Sequence, residues 1–261
     1  DVTLPCEVTI YEAKNTDRVI DNRLVTVEGV LTAKRSGDEG PSHWVLQVSP
    51  SSQEYTRVGY SAIWIYLNDM ETSDGSLIDP EVGETLRVTA RTANFFGQRQ
   101  LQVVTDATSL GRLTEEISPF EIDPIVVLAD PILSLALEGV LVEISPISVI
   151  EVNPEPGPGD RAPNREFVIE GDMRVNDFIY RYSPLPSVGD TWSTLRGIMR
   201  FGNGALKVEP RDAEDLGRPS LPGDVTGLVI SEIDYSNPGA DRAEFIEIMN
   251  VGVEPAPLWG V

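Results

Sequence analysis

The chain has 261 residues, of which 41% are hydrophobic, and its 42 acidic and 20 basic side chains give a formal net charge of −22. That length can bury two cores of ordinary domain size. The acidic residues exceed the basic ones in every part of the chain, 18 to 10 over residues 1–118, 17 to 9 over 119–219 and 7 to 1 over 220–261. Such a chain repels a phosphate polymer, so nucleic acid is not the default partner.

No apolar run reaches eighteen residues, and no basic start followed by an apolar stretch is present. We therefore predict neither a membrane span nor a signal peptide within this segment. Cys6 and His43 are each the single residue of their type. One cysteine cannot form an internal disulfide or a cysteine-based metal site, and one histidine cannot build the metal and nucleophile sites that need two imidazoles.

The sequence therefore predicts no enzyme activity, no catalytic residue, no metal ligand and no cofactor, although so much negative charge could recruit divalent cations weakly. Asp69, Glu71 and Asp74 superficially suggest a calcium loop. However, Pro80 occupies the twelfth position, where an EF-hand needs a bidentate Glu. A solvated loop is the better interpretation.

Two short patterns occur twice. VEGVL at 27–31 is followed by LEGVL at 137–141, and VGETL at 82–86 by VGDTW at 188–192, an offset of about 106 to 110 residues. A repeat of that length corresponds to a whole domain rather than to a solenoid unit. We predict one domain over residues 1–118, a second over 119–219, and a linker with a third, incomplete module over 220–261.

Short β-branched or aromatic runs bounded by Gly, Pro, Asn or Asp predict a mostly β protein. In the first copy we predict five strands, at 24–34, 43–49, 61–67, 85–95 and 99–105. In the second copy they fall at 135–144, 166–171, 177–182, 191–201 and 204–209. Residues 94–98 and 201–204 are the matching hairpins, with Gly97 suited to a positive φ. Five strands in this rhythm are typical of an OB barrel.

The segments between these elements are rich in proline and glycine. Residues 153–160 cannot continue a sheet because proline lacks a donor, so we predict an exposed, mobile loop there. Residues 117–119 and 217–223 are the expected linkers.

The stretches at 9–14 and 25–33 resemble the opening of OB-fold modules in secreted proteins of myxobacteria and related bacteria, and similar modules accompany extracellular nucleases. Residues 206–216 are similar to the way such modules end. The stretches at 229–239 and 243–250 resemble the first strands of a bacterial lamin-tail domain. The resemblance implies an all-β fold with two tandem five-stranded OB-like barrels, followed by the first strands of an immunoglobulin-like (lamin-tail) sandwich. It also implies a secreted or cell-surface location.

Strand alternation over 61–67 sends Ile63, Ile65 and Leu67 to one face and Trp64 and Tyr66 to the other. Phe178 and Tyr180 alternate in the same way in the second copy. In an OB fold the third strand contributes to the ligand face, where each stacked base adds about 1 to 3 kcal/mol. The candidate ligand-binding residues are therefore Trp64, Tyr66, Phe178 and Tyr180. The alternative is that these aromatics cover a barrel end or join the two barrels.

The function predicted from these features is a non-enzymatic binding, adhesion or scaffold segment of a secreted or surface-displayed bacterial protein. Its partner would be a protein, an extracellular polymer or a second copy of the chain. One alternative is a single-stranded nucleic-acid-binding accessory module of an extracellular nuclease, with Arg57, Arg87, Arg91 and Arg99 forming a basic strip. Another is a filament or oligomer subunit whose incomplete tail is completed by strand addition.

Overall fold

The structure is a computed structural model that describes residues 4–37, 40–67, 78–112, 116–217, 228–234 and 245–250. It is mostly β, as the sequence predicts. The chain divides into a compact unit, Asp1–Arg218, and a smaller one, Pro219–Val261. The calcium-like residues Asp69, Glu71 and Asp74 lie outside the described residues. Among the residues described, no helix is long and apolar enough to cross a membrane.

The first repeat forms a six-stranded sheet whose strands follow the order β1-β2-β3-β4-β6-β5. Its elements are β1 Cys6–Glu7, α1 Ile10–Lys14, β2 Leu24–Gly37, β3 Gly40–Gln47, β4 Ala62–Tyr66, β5 Glu84–Phe95 and β6 Gln98–Arg112. Strand β5 also pairs with β2, so the five long strands form a closed ring of pairings. Strands β4 and β6 are parallel. All five predicted strands of this repeat are present, and Gly97 takes a φ of +95° in the predicted hairpin.

The core of the first repeat follows from strand alternation. Ile63, Ile65 and Leu67 lie on one face of the β4 segment and are buried with Leu31 and Leu46 from the neighbouring strands. Helix α1 adds further buried side chains to this core. The helix begins at a capping box in which Thr9 and Glu12 satisfy each other's backbone donors.

The second repeat forms an eight-stranded sheet in the order β12-β9-β10-β11-β14-β13-β8-β7. Its strands are β7 Phe120–Glu121, β8 Leu141–Ile144, β9 Ile147–Val152, β10 Phe167–Ile169, β11 Met173–Val175, β12 Thr191–Trp192, β13 Leu195–Gly202 and β14 Ala205–Glu209. Its helices are α2 Pro124–Ala129 and α3 Pro131–Leu137, with a 3₁₀ turn at Glu214–Leu216.

The two sheets share one pairing order. Strands β8 and β9 follow each other with only Ser145 and Pro146 between them, and together they correspond to the long strand β2. The order β2-β3-β4-β6-β5 of the first repeat then matches β9-β10-β11-β14-β13 of the second, with β12 as an additional strand on β9. Both orders include a parallel pair, β4 with β6 in the first repeat and β11 with β14 in the second. The repeat visible in the sequence is therefore also a repeat of strand order.

Two predicted strands of the second repeat are wrong in position. Residues 135–137 of the predicted strand 135–144 belong to helix α3, and residues 177–182 form no strand, since the third strand is β11 instead. The helices form because Asp123 and Asp130 each accept from the backbone two residues on, at 2.9 Å, and each is followed by proline at the first helical position.

Side-chain contacts hold residues 177–182 in their irregular conformation. Asp177 accepts from Arg165 Nε at 2.7 Å, and Tyr182 Oη donates to the carbonyl of Val175 at 3.2 Å. The loop 153–160 contains no strand, as predicted, but it is not fully exposed. Pro154 is buried, and Asn203 Nδ2 donates to the carbonyl of Pro158 at 3.1 Å.

The smaller unit contains an antiparallel pair, β15 Leu228–Asp234 and β16 Phe245–Asn250, with a bulge between Ile230 and Glu232. The assignment of this segment to a lamin-tail domain stays a prediction. The predicted linker 217–223 lies outside the described residues from position 218 onward.

Candidate functional site at the junction of the two repeats

A small buried cluster, here called the junction cluster, joins the two repeats. It contains Ala33, Val45 and Trp64 from the first repeat and Leu141 and Ile198 from the second, with Phe178 and Ile179 packed against it. Trp64 is only 1% exposed, and its Nε1 donates to the carbonyl of Met199 at 3.3 Å. Alternation does turn Trp64 away from the core of its own repeat, and the second repeat then covers it.

Phe178 lies between two guanidinium groups. The Cζ atom of Arg200 lies 3.7 Å from the centre of its ring, and that of Arg35 lies 4.4 Å away. Arg35 also donates from Nε to the carbonyl of Phe178 at 2.5 Å and from Nη1 to Ser42 Oγ at 2.9 Å. Cation–π contacts of this kind contribute about 0.5 to 2 kcal/mol each. The two arginines therefore fix Phe178 against Trp64, whose ring centre is 6.1 Å away.

His43 completes this group of aromatic rings. Its ring centre lies 5.1 Å from that of Phe178 and 5.2 Å from that of Tyr66. Burial, together with the positive charges of Arg200 and Arg35, lowers the pKa of His43 to about 4. The imidazole is therefore neutral at neutral pH and acts as a packing group rather than as a third cation.

A buried carboxylate holds the backbone that carries Phe178. Glu209 accepts from the Phe178 amide and from Asn176 Nδ2, both at 3.1 Å, and faces Arg200 at 3.4 Å. Burial raises the pKa of Glu209 above its ordinary value, and Arg200 opposes that shift. The predicted strand at 177–182 is thus replaced by a turn that Glu209 anchors through side-chain hydrogen bonds.

Polar contacts seal the junction around the aromatic group. The Lys14 ammonium lies 3.0 Å from Glu138 Oε2, and both side chains are 1% exposed. Leu141 donates its amide to Gln47 Oε1 at 3.0 Å. Gly139 has a φ of +87°, and a Cβ there would lie 3.2 Å from the carbonyl carbon of Ala62, so this crossing needs a glycine. The two repeats are therefore joined by a buried ion pair, hydrogen bonds and apolar packing.

The predicted site residues have different positions in the structure. Trp64 and Phe178 belong to the junction, and the half-buried Tyr66 reaches it through His43. Tyr180 packs against the core of the second repeat instead. The sequence reasoning missed Arg200, although it stands two residues after the buried Ile198 on the same face of strand β13.

The four arginines suggested as a basic strip are largely engaged. Arg99 is buried and paired with Asp21, and Arg87 contacts both Glu7 and Glu28. Arg91 donates to the carbonyl of Asn22 at 3.1 Å, and Arg57 lies over the ring of Tyr60. At least two of the four charges are thus neutralised by carboxylates.

Within the described residues, no group of three or more His, Cys, Asp or Glu side chains is placed to hold a metal ion. Cys6 is a free, half-buried thiol whose sulfur accepts from Arg23 Nη2 at 2.8 Å.

No protein-family model matches this chain. No curated protein matches it either. Among solved structures, it is similar to an OB domain from Methanosarcina mazei at 11% identity and a TM-score of 0.29, over 44% of this chain and 90% of that one. A Leishmania major Friedlin chain assigned as an aspartyl-tRNA synthetase is similar at 6% identity and a TM-score of 0.27, over 44% of this chain and 22% of that one. Likenesses this weak carry no argument about function, so the proposals below rest on the geometry.

Proposed function

We propose that the chain is a non-enzymatic binding and scaffold segment of a larger secreted or surface-displayed protein. In this proposal the two repeats are OB-like barrels that form one rigid body, and β15 and β16 begin a lamin-tail sandwich. The observation that carries the proposal is the junction. Trp64 and Phe178, two of the aromatic residues that could have stacked a ligand, instead pack between the two repeats.

A rigid pair of barrels can hold its partner-binding surfaces at a fixed separation, which a flexible pair cannot. The contact between Lys14 and Glu138, both almost fully buried, supports this role because such a pair tolerates little relative motion. Trp64 and Phe178 add apolar burial on the same junction. Domains that move relative to each other usually meet through a more polar interface.

Calorimetric unfolding of the full chain tests the rigid scaffold. We expect the two repeats to unfold in one cooperative transition whose calorimetric and van't Hoff enthalpies agree. Ser145→Ala, at an exposed position between β8 and β9, is the control that should leave this cooperativity intact. Two separate transitions for the two repeats in the unmodified chain would contradict the scaffold.

The nucleic-acid alternative is tested by tryptophan fluorescence with mixed-sequence single-stranded DNA at low and physiological salt. We expect no saturable quenching, since Trp64 is covered and the protein is strongly acidic. Saturable quenching that weakens with salt and is lost in Tyr66→Ala, but kept in Tyr180→Ala, would establish nucleic-acid binding at the junction and overturn this part of the proposal.

A further inference from the structure

Helices α2 and α3 carry a large exposed apolar surface. Its members, here called the helical apolar face, are Ile125, Val126, Leu128, Ile132 and Leu135. Ile125 is 65% exposed and Ile132 is 73% exposed, whereas Val127 and Leu137 on the opposite side belong to the core of the second repeat. Helices that are apolar all round are normally covered on every side. Large exposed apolar patches are typical of protein-binding sites.

A groove of about 510 Å³ continues this surface beside the start of α2. Its apolar lining comes from Ile122, Pro124, Ile125, Ile144 and Pro146. Its acidic lining comes from Glu121, Asp123 and Glu170, of which Asp123 also caps α2. Within the described part of the chain, Glu121 and Glu170 are exposed and form no ion pair. The groove can therefore receive an apolar side chain with a cation beside it.

The charged side chains that line the groove are all acidic. Residues 113–160 contain ten acidic residues and no lysine or arginine, and of these Glu138 and Glu143 are paired with Lys14 and Arg196. A second copy of the chain would bring another net charge of −22 to the same place, which like-charge repulsion disfavours. Charge complementarity instead favours an occupant that is apolar on one side and basic at its edges.

We propose that the helical apolar face and its groove bind a basic amphipathic helix of a partner protein. Leucine or isoleucine side chains of that helix cover Ile125 and Ile132, and its lysines or arginines lie beside Glu121 and Glu170. This inference rests on the proposed binding function and names the chemistry of the partner. None of its residues belongs to the aromatic group at the junction, so the two proposals can be tested separately.

The test uses the full chain and a fluorescein-labelled synthetic helix of about 18 residues, made of leucine and lysine with the leucines along one face. The comparison peptide has the same composition in shuffled order, so it has the same charge without the apolar stripe. By fluorescence anisotropy we expect saturable 1:1 binding of the striped peptide and at least tenfold weaker binding of the shuffled one.

Variants locate the binding. The double variant Ile125→Ser/Ile132→Ser should weaken the striped peptide at least tenfold. The matched control Ile20→Ser/Val188→Ser, at positions 69% and 65% exposed, should leave it unchanged. Glu121→Gln/Glu170→Gln should weaken binding several-fold at low salt and much less at high salt, because salt screens exposed charges. All four positions of the first two double variants are exposed, so we expect both proteins to fold. Near-UV circular dichroism checks this.

Equal binding of the striped and shuffled peptides would mean that charge alone attracts them, and it would overturn the proposal. Binding that the Ile125→Ser/Ile132→Ser variant does not weaken would do the same. A concentration-dependent dimer in sedimentation that Ile132→Ser dissolves would assign the face to a second copy instead. Any of these results, with a single unfolding transition for the two repeats, would reject the docking site and leave the scaffold proposal intact.

Discussion

The junction cluster and the helical apolar face are two apolar surfaces outside the cores of the two repeats, but only the first is covered. The junction brings Arg35 and Arg200 to its apolar residues, and the Lys14–Glu138 pair joins opposite charges across it. The helical apolar face has only carboxylates around its groove. Outside the two cores, the apolar surface that is covered is therefore the one to which basic side chains are also brought.

The largest expected effect on stability comes from removing one partner of the buried ion pair at the junction. Lys14→Met leaves the Glu138 carboxylate buried without its cation, which should lower the free energy of unfolding by about 3 to 5 kcal/mol. Urea denaturation measures this loss.

The double variant Lys14→Met/Glu138→Leu should recover most of that stability, because an apolar pair of similar volume needs no desolvation of charge. If the double variant is as unstable as the single one, packing rather than the unpaired carboxylate is responsible.

The next effect concerns the aromatic part of the junction. Trp64→Ala removes a fully buried indole and its hydrogen bond to Met199, so we expect a loss of about 3 kcal/mol. Calorimetry should also show the transition broadening or splitting as the repeats separate.

The matched control is Phe96→Ala, which removes an aromatic side chain that is 87% exposed. Its unfolding free energy should stay within about 0.5 kcal/mol of the unmodified chain. A Trp64→Ala protein as stable and as cooperative as this control would show that Trp64 does not fasten the repeats.

A smaller effect on the free energy of unfolding should come from His43, and it should depend on pH. Its pKa falls from 6.5 to about 4 on folding, so the unfolded chain binds more protons between these values. The contribution of neutral His43 to the free energy of unfolding is therefore fully present above about pH 6.5 and declines as the pH falls toward 4. At pH 5 the loss is about 2 kcal/mol. His43→Gln should remove this component when unfolding at pH 7.5 and pH 5 is compared. An unchanged difference between the two pH values would exclude His43 as its source.

The smallest effect is expected on the uncovered surface. Ile132→Ser should change the free energy of unfolding by no more than about 0.5 kcal/mol, because the side chain loses little contact within the chain. Thermal unfolding of the full chain checks this. A loss of 2 kcal/mol or more would mean that Ile132 is already covered within the protein, and the contrast with Trp64 would disappear.

Much of the first repeat could be predicted from its sequence because period-2 patterns and turn residues are local signals. Residues 61–67 alternate so regularly that the inward set, Ile63, Ile65 and Leu67, follows directly. In the second repeat the same reasoning failed at 135–137, where Asp130 followed by Pro131 is a local helix-start signal that outweighs the apolar run. That signal is visible in the sequence and could have been used.

The candidate site was only partly predictable. Alternation placed Trp64 away from its own core, but whether water, a ligand or another part of the chain covers that face depends on contacts about 135 residues apart in sequence. Phe178 reaches the same place because Glu209 holds its backbone, a contact that no local pattern indicates.

The sequence by itself determined the β class, the repeat and the inward faces of the strands, because each follows from short-range sterics and periodicity. Only the tertiary structure decided which outward faces are covered. That outcome depends on the close approach at Gly139, the buried contact of Lys14 with Glu138, and the stacking of two arginines on Phe178. Each of these joins residues distant in the chain, so no local pattern in the sequence indicates them.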